Sequence, residues 1–369
     1  MRVLMISKAC VVGAYQRKLE ELARLPRMEL LLVVPPYWRD RCHVLSLERV
    51  HTAGYEMRVL RMALNGHFHL HFYPRMGALV RSLRPQIVHI DEEPYNLATF
   101  QAMRLARRSG AKALIFTWQN LLRQYPFPFN LFERYNLRHA ACVLAGNQEA
   151  VHVLRAKGYL GPVHVLPQFG VDPDLYRKEQ PSARHKETFA IGYLGRLVEE
   201  KGVQVLLRAV AQLQGAWVLR IIGDGPYRPR LRSLAAEFRI DDRVLFEPRI
   251  PSGEIPDRLN GLDVLVLPSL TRRNWKEQFG RVLIEGMACQ VPVVGSSSGE
   301  IPNLIADAGL VFPEGDEQAL RDALVQLMRE PGLRSEFGQR GRARVLEHYT
   351  QERIAADTYA VYSQLLGPQ

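Results

Sequence analysis

The sequence predicts an α/β protein of two doubly wound units, each a parallel sheet with helices on both faces, and three observations predict it. The chain has 369 residues, more than one core usually serves and suited to two domains of about 150 to 200 residues each. Short β-branched or aliphatic runs alternate with amphipathic stretches of helical period, which implies right-handed crossovers and parallel strands. That rhythm breaks at residues 167–187, where PQFGVDPDLYRKEQPSARHKE is rich in Pro and charge and has no period, as a linker does.

RVLMIS reads as a first strand, followed by a helix from about 14 to 25 and the strand ELLLVVP. QIVHI, a helix near 96–109 and KALIFTW come next, then ACVLAG and a helix near 147–157. After residue 187 the order restarts with FAIGYLG, a helix at 202–213, WVLRIIG, a helix near 227–238, RVLFE and a short helix near 252–260. DVLVLPS, a helix opened by EQFGRVLIEG, and VPVVGSS complete it. Helical stretches fill 316–366, and the last, ERIAADTYAVYSQLL, is expected to pack back across the join. The domains are therefore expected at 1–170, with a C-terminal helix at about 350–369 returning to it, and at 180–349. In open parallel sheets ligands sit beyond the C-terminal ends of strands, so a site is expected in a cleft where the two sheets face each other.

Composition narrows the class. With 47% hydrophobic and 24% charged residues the chain is an ordinary globular one, and no apolar run approaches the roughly 18 to 20 residues of a membrane helix. Lys8 sits inside the first apolar run, which therefore reads as a strand and loop and not as a signal peptide, and the cytoplasm is the expected address. Cys10, Cys42, Cys142 and Cys289 are widely scattered, which suggests neither a metal cluster nor a disulfide framework. The net charge of +11 is unevenly placed. Residues 1–180 carry 25 Lys+Arg against 14 Asp+Glu, and residues 181–369 carry 24 of each. A basic half suits an anionic acceptor, an anionic membrane surface touched peripherally at its inner face, or a plain Arg-rich solvated surface. Nucleic acid is disfavoured, because no dense basic run is interleaved with aromatics.

The informative residues should lie just after strands. GRLVEEKG (195–202) brackets a helix start with Arg196 and Lys201, and Gly195 and Gly202 permit a tight turn; two cations beside a helix N-terminus suit a diphosphate, although a charged helix start is also an ordinary structural feature. GDGP (223–226) is a second turn, with Gly223 at the strand end and Asp224 near the next helix, where it reads most simply as a cap. EQFGRVLIEG (277–286) places Glu277 in a loop and Glu285 about a turn and a half inside a helix. A loop carboxylate can accept from sugar hydroxyls while helix-start amides face a phosphate, and a deeper carboxylate suits a ribose diol. Either glutamate alone is an ordinary cap or surface residue.

In this order at strand ends, GRLVEEKG, IIGDGP and LPS followed by EQFGRVLIEGMACQVPVVGSSSGEIP resemble the donor domain of the family 4 retaining glycosyltransferases. The resemblance implies the GT-B fold of two Rossmann-like domains and extends strongly over 163–312 and weakly before it. It implies that Arg196 and Lys201 neutralise the diphosphate of a nucleotide-sugar donor, that Glu277 holds sugar hydroxyls and Glu285 the ribose. Backbone amides at Phe279, Gly280 and Arg281 would reach sugar and phosphates, and the loop at Arg249, Ile250 and Pro251 would lie against the base. Breaking a glycosyl–phosphate bond leaves charge on the diphosphate, so fixed cations stabilise the transition state more than the ground state. No cofactor and no divalent metal is then expected, and no Asp-x-Asp metal motif stands at a strand end. No catalytic base is identified, a same-face mechanism being the one commonly proposed for the family.

The N-terminal half departs from the family pattern. Gly13-Ala14 stands where a Gly-Gly turn is common, Gln119 of Trp118-Gln119-Asn120 where a histidine often meets the donor sugar, and Phe169 where asparagine is common. Glutamine can bond a hydroxyl but cannot titrate. Acceptor or sugar candidates are Gln119, Asn120 and the segment HIDEEPYN (89–96) with Asp91, Glu92, Glu93 and Tyr95, unless its carboxylates form a solvated loop capping the next helix. LNGHFHLHFYP (64–74) would place His67, His69 and His71 on one strand face, an exposed face more than a metal site. Arg123, Tyr125, Phe127 and Phe129 follow in a Pro-broken loop suited to gripping an acceptor or touching a membrane. The expected function is transfer of a hexose from a GDP- or UDP-sugar to an unknown acceptor, anionic or lipid-linked. The alternatives are an epimerase or phosphorylase on the same fold, the latter lacking any identifiable pyridoxal-phosphate lysine, and a two-domain sugar-binding protein, which would need an export signal.

Overall fold

The computed structural model describes residues 1–39, 44–179 and 188–367, and the chain divides into two compact units, Met1–Gly170 with Gln351–Gln369, and Val171–Thr350. Residues 180–187 of the expected linker, and Cys42, lie outside the described residues.

The first unit begins with β1 (Arg2–Ile6), α1 (Arg17–Ala23), β2 (Glu29–Val34), a short antiparallel ribbon of β3 (Tyr37–Arg39) and β4 (Val44–Ser46), and β5 (Glu56–Val59). It continues through α2 (Met76–Leu83), β6 (Ile87–Ile90), α3 (Leu97–Ser109), β7 (Lys112–Thr117), α4 (Phe129–His139), β8 (Cys142–Ala145), α5 (Gln148–Ala156) and β9 (Val163–Val165). Seven strands form one parallel sheet in the order β5-β2-β1-β6-β7-β8-β9. β1, β2, β6, β7 and β8 are near-continuous apolar runs because both faces of the sheet are covered. On one face Leu4, Ile6, Val88 and Ile115 pack with Val80 of α2, Met103 of α3, Leu137 of α4 and Leu154 of α5. On the other, Val3, Met5, Leu32 and Leu114 pack with Leu19 and Leu22 of α1.

The second unit holds β10 (Phe189–Leu194), α6 (Val203–Val210), β11 (Trp217–Ile222), α7 (Arg228–Glu237), β12 (Val244–Glu247), α8 (Ile255–Asn260) and β13 (Val264–Leu267). Then come α9 (Arg281–Ala288), β14 (Val293–Ser296), α10 (Ile301–Ile305), β15 (Gly309–Phe312), α11 (Glu317–Arg329) and α12 (Pro331–His348). Its six-stranded sheet runs β12-β11-β10-β13-β14-β15, all parallel. The last helix, α13 (Gln351–Leu366), belongs to the first unit: it lies against α1, it buries Ala355, Val361 and Tyr362 in that core, and the Tyr362 hydroxyl is 2.6 Å from His89 Nδ1.

Several expectations need correcting. The helix from about 14 is a three-residue 3₁₀ turn, Gly13–Tyr15, followed by α1 from Arg17. His67, His69 and His71 do not share a strand face. Residues 64–70 are turns closed by an isolated Ala63–Phe72 bridge, because the Asn65-Gly66 pair turns the chain, with Leu64 and Gly66 at positive φ. Among the described residues no group of His, Cys, Asp and Glu is placed to hold a metal. Phe129 does not lie in a loop but opens α4, since Pro128 at the N-cap removes a donor where none is needed.

Candidate active site

Each sheet has a switch point where the chain finishes one direction of strand order and returns beside its start. In the second unit it lies between β10 and β13, and the residues after those two strands converge there. The Gly195 and Gly223 turns are interlocked: the Gly195 N–H donates to the Ile222 carbonyl at 3.0 Å, Leu197 N–H to Asp224 at 2.9 Å and Gly223 N–H to Glu247 at 3.2 Å. Gly223 has φ 147°, and a Cβ there would collide with the Gly195 carbonyl oxygen. Asp224 does not cap α7, whose N-cap is Tyr227; its exposed carboxylate accepts from the Gly225 N–H at 2.8 Å and closes the turn.

Arg196 is exposed in the loop after β10, and its carbonyl accepts from the buried Tyr193 hydroxyl at 2.8 Å. Lys201 closes a 3₁₀ turn, Glu199–Lys201, and the Leu270 N–H ties that turn to the loop after β13 by donating to the Glu200 carbonyl at 2.8 Å. Lys201 Nζ donates to Glu277 Oε2 at 2.6 Å, and the Ser269 hydroxyl donates to the same oxygen at 2.7 Å. Glu277 is only 6% exposed, and the ammonium and hydroxyl give its buried oxygen charge-assisted hydrogen bonds. The indole of Trp275 lies 5.2 Å from the Lys201 ammonium.

Gly280, at φ 87°, is the N-cap of α9 and lets the chain turn from Phe279 into the helix; any side chain there would be strained. Arg281 begins the helix, and its guanidinium lies 2.9 Å from Glu285, one turn on. Glu285 also accepts from the Tyr176 hydroxyl at 3.4 Å. Burial pushes the Glu285 carboxyl up, while Arg281 and Tyr176 pull it down. Arg249 is exposed and Ile250 half-buried in the coil beyond β12, near the strand end that receives the Gly223 N–H. The structure thus gathers Gly195, Lys201, Gly223 and Glu277 at the strand ends and sets Glu285 inside α9. Ser269, Trp275 and Tyr176 were missed; Ser269 had a signal, being the polar residue directly after the strand DVLVLP.

In the first unit the switch lies between β1 and β6, and the acidic segment after β6 is packed inside and not solvated. Asp91 accepts from Ser7 at 2.6 Å and Gln168 at 2.9 Å. Glu92 pairs with Lys8 and lies 3.5 Å from His71 Nε2. Although burial would raise it, Lys8 and His71 hold the Glu92 carboxyl at about 2. Glu93 accepts from Thr117 Oγ1 at 2.7 Å and the Trp118 N–H at 2.9 Å, yet burial pushes its carboxyl up to about 7. Tyr95 stacks on Tyr125, ring centroids 4.1 Å apart. Gln119 and Asn120 are each 8% exposed, and Gln119 Nε2 has no hydrogen-bond partner. The Gly13 amide donates to the Glu48 carboxylate at 2.6 Å, an acceptor supplied by the first unit itself.

Two parallel-sheet units, each with a switch point in its strand order, define a doubly wound α/β protein, and comparison with known proteins gives the family. Residues 176–344 match the model of the glycosyl transferases group 1, and residues 12–168 match the glycosyl transferase 4-like domain. The chain belongs to the family 4 glycosyltransferases of the GT-B fold. A GDP-mannose-dependent alpha-(1-6)-phosphatidylinositol monomannoside mannosyltransferase of Mycolicibacterium smegmatis is 32% identical over 200 residues, 50% of this chain and 52% of the relative. The matched stretch thus spans about half the length of that relative. Sucrose-phosphate synthase from Thermosynechococcus elongatus shares the fold with a TM-score of 0.76 at 21% identity, covering 99% of this chain and 98% of the other. Anabaena HepE in complex with UDP gives 0.77 at 18% identity, covering 99% and 100%.

Proposed function

We propose that the protein transfers a hexose from a nucleotide-diphosphate sugar to an acceptor hydroxyl, with retention of anomeric configuration and without a divalent metal or other cofactor. The observation that carries this reading is the buried Lys201–Glu277 pair, with Ser269 on the same carboxylate oxygen. An arriving sugar hydroxyl can replace Lys201 as a donor to Glu277. Lys201 is then released toward the diphosphate, where Arg196 adds a second cation. As the glycosyl–phosphate bond breaks, negative charge grows on the leaving diphosphate, and the two cations brought against it favour that state over the ground state. The acceptor proton leaves on the same face, to the departing phosphate. Glu285 in α9 serves the ribose.

The donor is a GDP- or UDP-sugar: the mycobacterial relative is named for GDP-mannose, and HepE is described with UDP. The acceptor is anionic or lipid-held, and the enzyme works in the cytoplasm, at the inner face of the membrane. Thermal-shift titration with UDP, GDP and ADP tests the reading. One of them should raise the melting temperature; no shift with any would overturn it. Transfer should also survive chelation of divalent metals, and loss of activity in excess EDTA would sink the metal-free mechanism.

A further inference from the structure

The excess charge of the chain has a definite place. The first unit carries 24 Lys+Arg and 13 Asp+Glu, the second 25 of each. From residue 57 to residue 170 the carboxylates are Asp91, Glu92, Glu93, Glu133 and Glu149, and none is exposed. Asp91, Glu92 and Glu93 are held at the strand ends, and Glu133 is paired with Lys157. The arginines behave oppositely: Arg81 of α2, Arg104 and Arg108 of α3, and Arg134 and Arg138 of α4 are all exposed.

These helices are neighbours on one face of the sheet, α3 lying between α2 and α4. Phe100 of α3 stacks on Phe132 of α4 at 4.7 Å, with the Arg104 guanidinium over its ring. A depression between the elements is lined by Phe72, Phe100, Leu105, Arg104 and Arg108, an apolar floor with cationic walls. The loop leading into α4 and the first turn of that helix carry exposed apolar side chains: Phe127 is 77% exposed, Leu122 65% and Leu131 47%. The turns at 64–70, which reach this loop through His69 against Tyr125 and Phe129, add Phe68, 45% exposed. Water disfavours so many large exposed apolar side chains carried by one loop, the helix that follows it and the turns that pack on it.

We infer that the α2–α3–α4 face is a docking surface for an anionic lipid bilayer, with Leu122, Phe127 and Leu131 entering the headgroup boundary and the arginines lying on the lipid phosphates. Charge complementarity selects the partner: a surface bearing cations and no exposed carboxylate is attracted to anionic headgroups, and the apolar side chains gain only where hydrocarbon is within reach. No helix among the described residues is long and apolar enough to cross a membrane; the proposed contact is one of helices and a loop lying on the surface. An RNA would reward the arginines but not Leu122 or Leu131.

The test is co-sedimentation of the full chain with vesicles of phosphatidylcholine alone or mixed with phosphatidylglycerol. Binding should require phosphatidylglycerol and fall as salt rises. At roughly five-fold per cation, the variant Arg104→Gln/Arg134→Gln/Arg138→Gln should partition roughly 100-fold less, and Leu131→Ser should weaken binding by itself. Both variants should keep the parent melting temperature and its shift with nucleoside diphosphate, which separates failure of docking from failure of the proposed catalysis. Equal binding to neutral vesicles, no binding at low salt, or unchanged binding by both folded variants would overturn the inference. So would binding of a single-stranded RNA without binding to vesicles.

Discussion

In the second unit 25 cations meet 25 carboxylates, and the buried Lys201–Glu277 pair lies at the strand ends, where the proposed donor would separate it. In the first unit the strand-end carboxylates are already committed: Asp91 to Ser7 and Gln168, Glu92 to Lys8, Glu93 to Thr117 and Trp118. The same topology, with acidic residues near a switch point, thus carries the pair to which the proposed function assigns ligand exchange in one half and internal struts in the other. Lys201 and Ser269 meet Glu277 on a single oxygen, and the carboxylates after β6 take Ser7 and Gln168, Lys8, and Thr117 with the Trp118 N–H.

The comparison breaks first at Glu277. If the pair is catalytic, Glu277→Ala should lower kcat by about 10² to 10³-fold and leave nucleoside-diphosphate affinity within a few fold, whereas Lys201→Ala should weaken both. Full activity in Glu277→Ala would show that the second unit's pair is also only a strut. Next in size is the backbone that holds the cations. Gly223→Ala drives a methyl into the Gly195 carbonyl, and should cost about 2 to 4 kcal/mol in urea unfolding.

The struts make a pH prediction with two opposite signs. Glu93 titrates near 7 in the folded chain, above an unfolded value of 4.5, so the native state holds the extra proton. Its contribution is fully present below pH 4.5 and lost as pH rises toward 7, on the order of 1 to 3 kcal/mol, and Glu93→Gln should flatten that slope. Glu92 is held at about 2, so its contribution is present above 4.5 and lost as pH falls toward 2. Unfolding free energies measured from pH 3 to 8 check both. The smallest effect concerns Gln119, whose Nε2 is buried without a partner. Gln119→Leu should change stability by less than about 1 kcal/mol, because the amide gains little in the unliganded protein, while kcat/KM drops several fold. A drop in stability with unchanged kcat/KM would make Gln119 a strut as well.

Much of the fold was legible because buried parallel strands are continuous apolar runs, as in VLMI of β1 or VLVL of β13. The elements missed lacked that signature. β5 and β9 are only partly buried edge strands, and β15 begins with a glycine. α2 follows a His-rich stretch that mimics alternation, and α4 stands behind Pro126 and Pro128, read as breakers although Pro128 merely precedes the first turn. The glycine turns and both glutamates of the candidate site were visible because together, in order at strand ends, they carry the family resemblance, which the spacing of the glutamates alone does not. Their partners were not: Ser269 joins Glu277 across eight residues, Lys201 across 76, and Tyr176 reaches Glu285 across 109. No periodicity encodes contacts made by a crossover.

The placement of α13 has a consequence for how the molecule is made. The second unit is one unbroken segment, complete once residue 350 has been synthesised, but the first is built from two pieces, the second of which arrives last. Until Ala355, Val361 and Tyr362 cover them, Leu19, Leu22 and their neighbours lack part of their apolar lid. During synthesis the C-terminal unit can therefore close before the N-terminal one, reversing the usual vectorial order. A chain cut at residue 350 should keep a foldable second unit attached to a first one that is sticky and prone to aggregate.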